Sequence, residues 1–141
     1  MAQGTTTFPT ALDSARSNPS NMDTSEAAIL AMQAQMGVQA TIAANGALPV
    51  VSGSVIVTKA GVCAMTLAAP TTAMNGYRIT VISTTANAHT LTATNLLEDG
   101  VTGGAKDLAT FAAFAGASVE LEAYALEWYV VSKNAVTITG S

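Results

Sequence analysis

The stretch "SVELEAYALEWYVVS", residues 118–132, decides how this chain is read. Val119, Leu121 and Ala123 alternate with Glu120 and Glu122. That period of two sets one face of a strand against a core and the other against water. After Ala125-Leu126 the pattern changes. Leu126, Trp128 and Val130 share one face, Tyr129 and Val131 the other, and both faces are apolar. Such a strand is expected to lie between packed layers or to press one face on a neighbouring chain. Trp128 is assigned to the core, and Tyr129 and Val131 to a contact between subunits. A hairpin must join the two strands, but Leu at positive φ is costly, so a type I′ turn is not expected at 125–126. Another turn type or a shifted register is expected there, with Leu126 as an exposed apolar tip.

Working outward, the same period recurs in "SVIVTK" (54–59), "VCAMTLAAP" (62–70), "YRITVISTT" (77–85), "AHTLTATNL" (88–96), "DLATFAAFA" (107–115) and "AVTIT" (135–139). Short β-branched runs with turns between them indicate a mainly β fold, expected as an antiparallel β-sandwich or barrel of seven or eight strands. No βαβ rhythm is present, which argues against a parallel sheet. No internal repeat is legible.

Upstream the composition differs. Residues 1–22 read as an extended, almost uncharged arm, with Phe8, Pro9 and Leu12 as its apolar anchors. Residues 23–37 read as a short helix. Asp23 is placed as N-cap, Glu26 at the third helical position of a capping box, and Gly37 just past the end. Ile29, Met32 and Met36 form one stripe, which suits packing on the domain or a short neck between copies. Residues 38–53 read as a connector, with turns at Asn45-Gly46 and Leu48-Pro49 and room for one short strand. Residues 54–141 make the β domain.

The 141 residues fit one domain with an appendage. Only 10% are charged and 5% aromatic, against about a quarter charged in ordinary soluble domains. A surface so poor in charge is expected to be covered by other subunits. The net charge is −4, and the five basic residues are scattered, so nucleic-acid binding is not expected. No membrane span or polybasic anchor is expected either, nor a secretory leader.

Residues with chemistry to offer are few. His89, the single histidine, is read as a strand residue with satisfied hydrogen bonds. Cys63 is read as a small core hydrophobe. Glu120 and Glu122 are read as a wet strand face. Glu98, Asp99 and Asp107 flank a Gly-rich loop that matches neither a calcium nor a phosphate loop pattern. No catalytic residue, cofactor or metal is assigned, and no enzymatic activity is expected.

Several segments together resemble the small structural proteins of tailed-bacteriophage virions. They are "TTTFPTALDS", "NPSNMD" with "EAAILAMQAQMGV", "MTLAAPT", "GYRITVISTTANAHTLT" and "WYVVSKNAVTI". The resemblance implies a β-rich virion module, commonly trimeric, carried behind an anchoring arm and short helix. The expected function is that of a capsid decoration (cement) protein or short head fibre. It would be made in the bacterial cytoplasm and placed on the capsid surface, with the major capsid protein and its own copies as partners. The alternative is a receptor- or glycan-binding tip of a tail fibre, for which aromatic residues are scarce.

Overall fold

The chain is mainly β. A computed structural model describes residues 38–140, which form ten strands and a single 3-10 turn. The arm and helix, with Phe8, Pro9, Leu12, Ile29, Met32 and Met36, lie outside the described residues.

Strands β1 (Val38–Ile42), β3 (Gly53–Val57) and β5 (Arg78–Ser83) pair in parallel. So do β2 (Gly46–Ala47), β4 (Ala64–Thr66) and β6 (Thr90–Glu98). The chain alternates between the two ladders, so each pair β1–β2, β3–β4 and β5–β6 is one coil stacked on the next. The expectation of a purely antiparallel sheet is therefore corrected: five of the nine strand pairings are parallel. A parallel pair needs a crossover, usually a helix. Here the crossover is a strand of the other ladder, which leaves no helical rhythm in the sequence.

Coils two and three are offset by 26 residues in both ladders, with Gly53 beside Ile79 and Met65 beside Leu91. Between coils one and two the offsets are 15 and 19 residues, with Val38 beside Gly53 and Gly46 beside Met65. Unequal coils hide the repetition.

The hairpin of β8 (Ser118–Tyr124) and β9 (Glu127–Asn134) bridges the ladders at the end of the stack. β8 runs antiparallel to β5, while the start of β9 runs parallel to the end of β6. The resulting path, β1-β3-β5-β8-β9-β6-β4-β2, is one curled sheet, a half-barrel. β6 also pairs with β7 (Lys106–Phe111), at Thr90–Thr92 and, after a register shift, at Leu97, and β7 pairs with β10 (Val136–Thr139). The stretch read as a connector thus contributes two strands, β1 and β2, to the same sheet.

Burial follows the period of two. In β5, Ile79, Val81 and Ser83 are buried. In β8, Val119, Leu121 and Ala123 are buried, and Glu120 and Glu122 face out. Cys63, Met65 and Leu67 all enter the core. Cross-strand register stacks them into columns, such as Val55, Val81 and Val119. Trp128 is fully buried, and its Nε1–H donates to the Ala68 carbonyl at 2.9 Å. That bond gives the indole its one required partner and ties the hairpin to the segment after β4.

Candidate interaction surface

The hairpin turn departs from the sequence expectation. Tyr124 pairs directly with Glu127, leaving a two-residue loop in which Ala125 (φ 51°) and Leu126 (φ 71°) are both left-handed. This is the backbone signature of type I′, whose twist matches the flanking strands. Each residue there costs roughly 1–2 kcal/mol, because its Cβ crowds the following carbonyl. The surroundings hold the turn in place. Asn75 Oδ1 accepts the Ala125 N–H at 3.0 Å. Gly76 N–H donates to the Ala123 carbonyl, and Ala123 N–H donates to the Tyr77 carbonyl, both at 2.8 Å. Leu126 is left exposed at the tip, as the sequence indicated.

The register does shift, but further along β9. Leu121 pairs with Val130 and Glu120 with Ser132, so Val131 is an extra residue in the strand. Such a bulge re-aims side chains locally. Val131 joins Tyr129, Tyr124 and Glu122 in lining a groove of about 220 Å³. The two tyrosine rings meet edge to face, with centroids 6.1 Å apart and planes at 64°. Tyr124 is 60% exposed, Leu126 51%, Val131 46% and Tyr129 39%. Tyr124, Tyr129 and Val131 therefore share one groove with their side chains exposed, and Leu126 is exposed at the turn, which makes this face a candidate interaction surface.

Charged residues frame this face. One row of cross-strand neighbours runs Arg78, Glu122, Tyr129, Glu98 over β5, β8, β9 and β6. Arg78 bonds Glu122 at 2.8 Å and Glu120 at 3.0 Å. The Tyr129 hydroxyl donates to Glu127 Oε2 at 3.4 Å, a long contact. Partial desolvation, followed by the Glu127 and Glu98 carboxylates, raises the Tyr129 hydroxyl above its ordinary pKa, since each disfavours a phenolate. The face is apolar in its centre and acidic around it.

The other chemistry-bearing residues serve the stack. His89 is buried just before β6. Its Nδ1 accepts the Cys63 N–H at 3.0 Å, so the proton sits on Nε2, which donates to Thr85 Oγ1 at 2.9 Å. Thr85 Oγ1 in turn donates to the Lys59 carbonyl at 3.0 Å. The ring thus links the β3–β4 turn to the β5–β6 turn. Burial and then the Lys59 charge lower its pKa, so it is held neutral. Cys63 contacts the Ala44 carbonyl through its thiol, and burial pushes that thiol's pKa up, away from the nucleophilic thiolate. Asp107 and Asp99 accept the backbone N–H groups of Asn95 and Val101. Among the described residues no three His, Cys, Asp or Glu side chains gather at metal-binding distances, and no helix is long and apolar enough to cross a membrane.

Tyr129 and Val131, singled out from sequence, lie in one groove. Tyr124, Glu98 and Glu127 were missed. Tyr124 ends an otherwise ordinary strand. Glu98 reaches Tyr129 only through a parallel pairing that joins residues far apart in sequence. The pairing of Tyr124 with Glu127 depends on a two-residue turn that the sequence did not announce. No protein-family model matches this chain, and no curated protein matches it in sequence.

Proposed function

We propose that this chain is a structural protein of a bacteriophage virion, a capsid decoration (cement) protein or short head fibre, acting as an oligomer and most simply a trimer. The carrying observation is the exposed groove of Tyr124, Tyr129 and Val131, with Leu126 exposed at the adjoining turn, on a chain with few charges. Covering it with protein removes apolar area from water, and contacts of this kind across capsomer junctions reinforce a shell. In this reading Tyr129 and Val131 contact a neighbouring chain. The arm, through Phe8, Pro9 and Leu12, attaches to the major capsid protein, and Ile29, Met32 and Met36 join copies. Ordering an arm on assembly is offset by contacts made only then.

A second reading draws on one feature of the same face. Two exposed tyrosines at a hairpin tip also suit a sugar-binding tip of a tail fibre. Quantitative mass spectrometry of particles produced from the genome that encodes this chain separates the two. A copy number on the scale of the capsid lattice supports decoration. A copy number on the scale of the tail supports the tip, and absence from particles overturns both.

A further inference from the structure

We propose that the groove between Tyr124 and Tyr129 receives a basic side chain, arginine or lysine, from the protein that sits on this face. The inference rests on the reading of the face as a protein contact and adds what the partner must present there. Two rings at 64° form adjacent walls, and a cation over an aromatic face is drawn by its quadrupole. Val131 completes the lining, suited to the aliphatic stem of a long basic side chain.

Charge selects the cation. Glu98 stands beside Tyr129 across the β6–β9 pair, Glu122 beside it across the β8–β9 pair, and Glu127 two residues back on the same strand face. Strand neighbours lie about 4.8 Å apart. Among the described residues Arg78 is the cation within this row, and its bonds go to Glu120 and Glu122. Among the described residues Glu98 and Glu127 have no ion-pair partner. Four carboxylates against one guanidinium leave the groove acidic, which repels an anionic partner. A purely apolar partner would bury Glu98 and Glu127 without compensation, at substantial cost.

The test uses the full chain and three probes: N-acetylarginine amide, its uncharged analogue N-acetylcitrulline amide, and methyl glucoside. Binding is read from the ring NMR signals of Tyr124 and Tyr129. Where a neighbouring chain covers the face, it is read from release of that chain in sedimentation velocity. The arginine probe is expected to act at a concentration about two- to fivefold below the citrulline probe, the preference expected of an exposed cation–π contact. The double variant Glu98→Gln/Glu127→Gln is expected to lose that preference, and Tyr124→Leu to weaken it. Equal action of the two amides, a response to the glucoside alone, or no response to any probe overturns the proposal.

The basic side chain and the protein contact fail separately. Assembly that depends on Tyr129 without an arginine preference refutes the basic side chain and keeps the protein contact. An arginine preference in a chain whose assembly and particle binding ignore Tyr129 refutes the protein contact, and with it a protein as the source of the cation.

Discussion

Glu98 and Tyr129 stand side by side on the outer face of the sheet, paired in parallel, while Leu97 and Trp128, the residues just before them, are paired and fully buried. One strand contact thus carries both the anchor of the core and the edge of the candidate surface. A change on one side of this sheet should separate cleanly from a change on the other.

On the inner side, Trp128→Ala removes a fully buried indole and its bond to the Ala68 carbonyl. It should destabilise the domain by roughly 3–5 kcal/mol. Chemical denaturation measures this, and a loss below about 1 kcal/mol would show that the core collapses around the gap.

On the outer side, Tyr129→Asp should leave the fold intact and weaken assembly, because a charge is placed where a partner excludes water. Circular dichroism reports the fold and sedimentation reports the assembly. An unchanged oligomer would mean that this face meets solvent.

The hairpin tip offers a gain of stability. Ala125→Asn with Leu126→Gly suits the left-handed turn that the chain already adopts. The isolated protein should gain about 1–2 kcal/mol. If Leu126 is part of the contact, the same variant should bind its partner less well. Thermal unfolding and a binding assay, read together, test whether the strained leucine is retained for contact.

Parts of this arrangement were legible in the sequence and parts were not. Val119, Leu121 and Ala123 set against Glu120 and Glu122 announced β8 and its two faces, because side-chain direction in a strand depends only on local period. The burial of Cys63 and the bonded state of His89 were legible for a related reason, the apolar or Thr-rich runs around them. Parallel pairing was not. Val38 beside Gly53 beside Ile79 is a relation between coils of unequal length, and no local pattern encodes it. The left-handed Ala125 and Leu126 were hidden too, because the side chain of Asn75, 50 residues away, helps hold that turn. Glu98 joins the candidate surface by the same kind of distant pairing.

Stability should depend on pH through His89. Its pKa in the folded protein lies below the ordinary value of 6.5, so the unfolded chain binds a proton more readily. Stability from this source is complete above pH 6.5 and is lost as pH falls from there toward the folded pKa. Protonating Nδ1 removes the acceptor of the Cys63 N–H. Denaturation at a series of pH values, with the imidazole followed by NMR, checks this. A folded-state pKa at or above 6.5 would contradict it.

We propose that this chain clothes a capsid and meets another protein through the Tyr129 face. A density map of the intact particle tests it most directly. The account predicts the curled sheet on the outer capsid surface, repeated across the lattice, with Tyr124, Tyr129 and Val131 against a neighbouring chain. A particle whose capsid lacks this density, or one in which that face points into solvent, would contradict it.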